Sequence, residues 1–396
     1  MLKKAFIPSK GYYSTPFCRW QGSMANENAI SLAANTAKRW LAQKNWDPKM
    51  YEYLVFGNTI GQHHQFYASP WAAALMGSGA TPGLILSQAC TTSMTCIFTA
   101  AMGVEAGWYT VASALMTDRC SNGPHTIWPN PMGPGGEVIS ENWLMDNFNS
   151  DPNVGLKMIE TAENVAKEGG FTKEQCDELT LRRYEQYNES LANDREFQKR
   201  YMFPAEVVIS KKKSLLIEED EGITPTTKEG LAKLKPVIPG GVHSFGAQTH
   251  PADGNCMVTV TTEAKAKELS ADPAVSIQVV SGGYSRERPG YMAAAPVPAA
   301  RLALEKAGLK IEDIKVIKTH NPFIVNDLYM SRQMGLDPFK FNNYGCSLVY
   351  GHPQGPTAGR IIIEGIEETV KLGGGYFLWA GCAAGDTGGS LILKIS

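Results

Sequence analysis

The chain has 396 residues, 43% hydrophobic and 19% charged. That length suits two or three domains, and the composition supplies large apolar cores and excludes a disordered chain. Lys and Arg number 37 against 39 Asp and Glu, a formal charge of −2, which excludes a general nucleic-acid coat or a polybasic membrane anchor. No run of about 18 apolar residues occurs, so no transmembrane helix is expected. Met1-Leu2-Lys3-Lys4 leads into polar and aromatic residues rather than a signal-peptide core, so a cytoplasmic location is expected. Cysteines 18, 90, 96, 120, 176, 256, 346 and 382 are scattered, with no C-x-x-C pair. That spacing speaks against a disulfide framework or a zinc site, and each cysteine reads first as a small buried hydrophobe.

In chain order, Tyr53 to Phe56 before Gly57-Asn58 predicts a short buried strand, and Leu84 to Leu86 predicts another. His63-His64, if on a strand, would face opposite ways, which favours a surface or interface role over a metal pair. From Ser93 the apolar residues Met94, Ile97, Phe98, Ala101 and Met102 keep helical spacing as far as Gly107. Trp108 to Ala112 predicts the next strand. Cys90 therefore falls where a strand gives way to a helix. Pro124, Pro129, Pro131 and Pro134 with Gly133, Gly135 and Gly136 predict a loop, beside which His125 either lines a pocket or packs the loop. Thr161 to Ala166 opens a helical stretch. Thr172 with Gln175 forms a capping box for a second helix, charged and solvated. Lys211-Lys212-Lys213 reads as a solvated edge. Ile314 to Ile317 predicts a strand just before His320. Thr357 to Leu372 predicts a helix with Ile361, Ile362, Ile363, Ile366 and Val370 on its apolar side. Gly373-Gly374-Gly375 stops it, and Tyr376 to Ala380 predicts a strand. Helix, Gly, two aromatics, two apolar residues and Ala thus occur twice, followed by Asp118 and Asp386. This reads as an internal duplication within an α/β fold.

The chemistry concentrates at four places. At a strand-to-helix elbow, Cys90 meets unpaired backbone N–H groups and the positive helix end, both of which favour thiolate. His352, between Gly351 and Pro353 on a rigid turn, could act as the base for a thiol. Cys382 lies in Gly381-Cys382-Ala383-Ala384-Gly385-Asp386, where small residues let a backbone loop aim N–H groups at an oxyanion. Thr319-His320-Asn321-Pro322-Phe323 places polar groups directly after a strand.

Together these resemble the thiolase family over nearly the whole chain. The resemblance rests on Thr15-Pro16-Phe17 with Gly22-Ser23-Met24, Cys90-Thr91-Thr92-Ser93-Met94, Met158 with Thr161 to Ala166, Met292 to Ala299, Gly351-His352-Pro353 and Cys382. His320-Asn321-Pro322-Phe323 stands where many members carry Asn-Glu-Ala-Phe, and is closer to the His-Asp-Cys-Phe form of sterol-carrier-protein-type thiolases. The resemblance implies a five-layered αβαβα arrangement of two duplicated βαβ-rich halves plus a loop domain. The halves would span 1–122, with 250–272 returning to it, and 273–396; the loop domain, 123–249, would cover a coenzyme A site.

It also implies roles. Cys90 would attack the 3-keto carbon of a 3-oxoacyl-CoA, His352 would take its proton, and Cys382 would be the second acid/base. His320 would supply one oxyanion hole, and the backbone N–H groups of Cys90 and Ala384 the other. Met158, Thr249, Met292, Asn321 and Phe323 are expected to meet substrate, and His243 and His250 flank the stretch that meets CoA in the family. No metal and no bound cofactor are expected; coenzyme A enters as a substrate. Several residues depart from the family pattern: Ser93, Lys157, Asn321, Ala384 and Asp386. With Trp128, Trp143, Tyr184 and Tyr187 in the middle segment, they shift the expectation to a bulky or aromatic acyl chain in a degradative reaction, as in benzoylsuccinyl-CoA thiolase. A homodimer or tetramer is expected, and a small zinc-ribbon/OB-fold subunit is a candidate partner. Two rival readings are a ketosynthase-like condensing enzyme, which would leave Cys382 idle, and a non-catalytic subunit of the same fold.

Overall fold

The computed structural model describes residues 1–396. Strands β1 (Phe6–Ile7), β2 (Tyr53–Gly57), β3 (Gly83–Leu86), β4 (Val111–Arg119) and β5 (Ala252–Thr261) precede β6 (Ile277–Arg286), β7 (Ile314–His320), β8 (Gly375–Ala383) and β9 (Thr387–Ile395). They hydrogen-bond in the order β7-β8-β9-β6-β1-β5-β4-β2-β3, and Tyr12–Ser14 and Cys18–Arg19 also pair with β5. The two-residue β1 is the only bridge between a first half and a second, so the sheet is continuous while its two halves form separate layers.

The helices explain those layers. Those of nine residues or more are, in chain order, α1 (Ala29–Gln43), α2 (Ala68–Met76), α3 (Thr92–Ala106), α4 (Met158–Gly169), α5 (Lys173–Ser190), α6 (Pro296–Ala307), α7 (Val325–Met334) and α8 (Thr357–Lys371). Helices α1 and α2 cover the outer face of the first half; α6, backed by α7, covers that of the second. Helices α3 and α8 pack on each other between the halves. The arrangement is five-layered, αβαβα. Both halves repeat a helix, a strand and an antiparallel partner: α3, β4, β5 and α8, β8, β9.

Covered on both faces, β5 is buried at every position, as an inner strand must be. Close approach depends on glycine at two contacts. A Cβ on Gly283 of β6 would lie 2.1 Å from the Ala299 carbonyl of α6, and one on Gly359 would lie 2.4 Å from Cys256 Sγ of β5.

The structure corrects several local expectations. The strand expected at Trp108 starts at Val111, and Trp108 is 83% exposed in the turn before it. Helix α8 has no polar side: Arg360, Glu364 and Glu367 are as buried as its isoleucines, because sheets flank it on both faces. Its charges are paired instead, Arg360 with Asp220 and Glu364, and Glu364 with Lys318. Helix α5 has its Thr172 capping box, but it is not simply solvated. One face buries Leu179, Tyr187 and Arg183, and the Arg183 guanidinium holds Asp327 at 3.0 Å. The Pro/Gly-rich stretch after Pro124 is a hairpin, His125–Pro129 against Val138–Asn142. His63 and His64 sit in an exposed turn, not on a strand. Lys211 to Lys213 form the exposed tip of the hairpin Ala205–Ser210/Lys213–Ile217. No helix is long and apolar enough to cross a membrane.

Candidate active site

Strand β3 ends at Leu86, and Ala89–Thr91 makes a single tight turn before α3 begins at Thr92. Ala89 has φ +45°, a left-handed conformation that costs an alanine free energy. That strained turn presents Cys90 at the helix N-terminus, 8% exposed, at the head of a cavity of about 390 Å³. The wall also carries His352, Gln354 and Ala384, together with Met158, Thr249, Met292 and Phe323.

Four distant segments meet around the Cys90 sulfur. The backbone N–H groups of Ala384 and of Cys90 itself favour its thiolate form. Its thiol donates to Gln354 Oε1 at 3.4 Å. One ligand-capable atom of each of Cys90, His320 and His352 lies within 4.8 Å of the other two. Burial pushes the Cys90 thiol up to about 12, although the two N–H groups pull the other way. At rest it is a protonated thiol.

Both imidazoles are held by hydroxyls. His352 Nδ1 lies 2.7 Å from Thr357 Oγ1, and His320 Nδ1 lies 2.8 Å from Ser347 Oγ. Neither Nε2 has a partner. Burial drives His320 down to about 3, and drives His352 well below its ordinary value with help from the neighbouring His320, while Gln354 opposes. Both rings are therefore neutral near pH 7, their centroids 4.2 Å apart. If His352 donates from Nδ1 to Thr357, its bare Nε2 is a base. The Ser347 hydroxyl has one proton and two acceptors, His320 Nδ1 and, at 3.2 Å, Asn321 Oδ1. Donation to His320 leaves Nε2–H as a donor; donation to Asn321 leaves Nε2 a bare acceptor.

Cys382 lies in β8 and is fully buried. It accepts from Asn326 Nδ2 at 3.3 Å, and burial raises its thiol far above the usual range. It is not on the cavity wall. Asn321 is not there either: its amide bonds Asp327 at 2.7 Å and Cys346, and its oxygen accepts from Ser347 and Leu348. Asn321 braces the loop that carries His320. Thr249 does line the cavity, but its hydroxyl donates to the Ser347 carbonyl at 2.6 Å. His243 is held by Glu163 at 2.9 Å, and His250 rests on the carbonyls of Pro251 and Val349; neither reaches the wall. His125 is exposed on its hairpin. Of the middle-segment aromatics, Trp128, Trp143, Tyr184 and Tyr187 all miss the cavity, whose bulky lining is Met145, Phe148, Phe245 and Phe323 with Met158 and Met292.

Reasoning from sequence missed Gln354, Ser347, Thr357 and Asn326. Gln354 and Thr357 stand two and five residues after His352 in the same run, which is the one signal that could have found them. One further support is Asp118, at the end of β4, which accepts from Thr59, Ile60, Asn58 and the Gly355 N–H at 2.7 Å. It fixes the turn that carries Gln354, and burial pushes its carboxyl up to about 7 against those donors.

This architecture is shared with known proteins. The family models for the thiolase N-terminal domain and the thiolase C-terminal domain match residues 11–264 and 274–395. Human mitochondrial 3-ketoacyl-CoA thiolase is 27% identical over 385 residues, 96% of each chain. Beta-ketothiolase BktB of Cupriavidus necator is 29% identical over 94% of this chain and 95% of its own. The crystal structure of the human mitochondrial enzyme superposes with a TM-score of 0.90 over 99% of this chain and 98% of that one, at 27% identity. A second crystal structure of it, in complex with CoA, gives 0.89 over 100% and 98%, at 26% identity. The chain belongs to the thiolase family, and is by that membership an acyltransferase.

Proposed function

We propose that the protein is a thiolase that cleaves a 3-oxoacyl-CoA with coenzyme A, or runs the reverse Claisen condensation, through an acyl-enzyme on Cys90. The observation that carries this reading is the convergence of Cys90, His352 and Ala384 at the head of one cavity, with His320 buried within 4.8 Å of Cys90 and His352 and Cys382 buried off the wall.

The sulfur attacks the 3-keto carbon as its proton passes to His352 Nε2. Charge then develops on oxygen, and the N–H groups of Ala384 and Cys90 face it with no reorganisation. Breaking the C2–C3 bond leaves an enolate on the departing acyl-CoA. His320, in its Nε2–H tautomer, is the donor to the thioester oxygen, and the Cys382 thiol protonates C2. Coenzyme A then gives its thiol proton to the Cys382 thiolate and takes the acyl group from Cys90, whose leaving sulfur recovers its proton from the His352 imidazolium. The middle segment, 123–249, acts as the loop domain over the CoA site; it supplies Met145, Phe148, Lys157, Met158, Phe245 and Thr249 to the wall. The two core halves are then 1–122, with 250–272 returning, and 273–396.

The apolar wall suits a bulky or aromatic acyl chain, as a degradative enzyme would meet. Strand β3 is paired on one edge only, with Ile85 38% exposed, so a homodimer through that edge is part of this reading. A decarboxylating condensation remains the second reading, because two imidazoles face one cysteine as that chemistry requires. Cys90→Ala should abolish both acyl-enzyme formation, read by mass spectrometry, and thiolysis, by about 10³ or more. An active Cys90→Ala enzyme ends the proposal, and wild-type protein that takes up no acyl group is a non-catalytic subunit.

A further inference from the structure

Cys90 Sγ and one ring nitrogen from each of His320 and His352 form a closed triangle of borderline-soft donors, none more than 4.8 Å from the others; both Nδ1 atoms are taken by hydroxyls, which leaves Nε2 as the free donor of each ring. The two imidazole nitrogens are fully buried and have no hydrogen-bond partner. Buried polar atoms without partners are rare, and each one calls for an explanation. From these atoms we infer that the site binds one divalent cation of the zinc class, held by the Cys90 thiolate and both Nε2 atoms, and that the ion is a reversible inhibitor of the acyl-transfer reaction proposed above.

The donor set fits that ion. Zinc takes thiolate and imidazole with bonds of about 2.3 and 2.0–2.1 Å, so tetrahedral ligand-to-ligand edges are about 3.4–3.6 Å. No pair here needs to close by more than about 1.5 Å. The outer support is in place as well. Ligating histidines donate their other ring nitrogen to a fixed acceptor. Thr357 Oγ1 stands at 2.7 Å from His352 Nδ1 and Ser347 Oγ at 2.8 Å from His320 Nδ1. Ser347 can pass its own proton on to Asn321 Oδ1. In that arrangement both Nε2 atoms are bare. A carboxylate-free set keeps magnesium and calcium out, since those ions require oxygen ligands.

Access and charge are also satisfied. Cys90 and His352 open onto the cavity, so the fourth zinc position faces incoming water or thiol. Binding replaces the thiol proton with metal: Cys–SH and Zn²⁺ give Cys–S–Zn⁺ and one proton released to solvent. A side-chain amide in place of His320 would remove one of the three ligands while keeping a hydrogen-bond donor, so metal sensitivity separates from the oxyanion role at this residue.

The test uses full-length protein stripped with a chelator and titrated with zinc chloride against a chromophoric competitor. The expected result is one zinc per chain, released by chelator, with Cys90 alkylation by iodoacetamide blocked in proportion to occupancy. His320→Asn and Cys90→Ser should each weaken zinc binding at least tenfold. Cobalt(II) should give a thiolate-to-metal absorption band in the wild type that Cys90→Ser loses. Binding well below one equivalent, or binding that both variants leave unchanged, overturns the inference. Thiolysis by the metal-free wild type tests the parent reading separately. A protein that binds zinc but forms no acyl-enzyme refutes the thiolase reading and keeps the metal site. One that turns over and ignores zinc does the reverse.

Discussion

The resting state of the site sets how Cys90 responds to pH. Burial holds its thiol up to about 12, against an ordinary 9.0. At pH 8 such a group is deprotonated to about one part in ten thousand, against about one part in ten for the ordinary thiol. A more basic thiolate is intrinsically more nucleophilic, by about twentyfold over three pH units at a Brønsted slope near 0.45. The net expectation at pH 8 is alkylation about fiftyfold slower than a free thiol. The raised value also fixes the sign of the pH dependence. The reactive thiolate grows tenfold per pH unit while pH stays below about 12, so the iodoacetamide rate should climb with unit slope from pH 6 to about 10 without levelling. His352 is neutral at rest, so His352→Gln should leave that profile nearly unchanged. Thiolysis in the same variant should fall by about 10²–10⁴, because the imidazole acts only when it receives the proton in the transition state. The assay is stopped-time mass spectrometry of Cys90 across that range on metal-free protein. A plateau below pH 8 that His352→Gln abolishes would reveal a preformed thiolate–imidazolium pair and refute the reasoning.

Cys382→Ser should keep acylation of Cys90 in an exchange assay while turnover falls much further; equal losses would remove Cys382 from the acid/base role. His320→Ala should lower kcat by about 10²–10³, roughly 3–4 kcal/mol, as for loss of one oxyanion donor. His320→Asn should restore part of that, and an Asn variant no better than Ala would reduce His320 to a brace. Asp220→Ala should destabilise the protein by about 3–5 kcal/mol in a denaturant melt, because it strips the fully buried Arg360 guanidinium of its bidentate partner at 2.6 and 2.8 Å. A loss under 1 kcal/mol would mean that Glu364 alone satisfies Arg360.

What could be read from the sequence was what is local in it. Cys90 and His352 each sit in a short run whose glycines, prolines and small residues already announce a turn, and that is where they lie; Cys382, read the same way, lies instead in β8, just before the turn that starts at Ala384. The βα elements around them were legible for the same reason: apolar periodicity ended by glycine, as at Gly107 and Gly373. The rest depends on segments far apart in the chain. Ser347 matters because it lies against His320 and Asn321, and nothing within a few residues of it reports that neighbour. Arg183, Arg360 and Glu364 look like solvated charges until Asp327, Asp220 and Lys318 arrive from elsewhere. The middle-segment aromatics were composition without geometry. Trp143 spends its N–H on the Thr59 carbonyl, and Tyr187 its hydroxyl on Asp220, so neither is free for an acyl chain.

The choice of hydroxyls to hold both imidazoles governs where charge appears. A carboxylate at Nδ1 would stabilise imidazolium and draw the thiol proton across before substrate arrives. Thr357 and Ser347 offer no such charge, so burial wins and both rings stay neutral. The site therefore stores no ion pair whose desolvation must be offset in the free enzyme. In the proposed reaction, His352 becomes positive once the sulfur attacks, beside Gln354, the group that favours its protonated form. The oxygen becomes negative beside the Ala384 N–H and the N-terminus of α3. Each of those contacts strengthens only as the reaction proceeds, which lowers the barrier instead of merely tightening substrate binding.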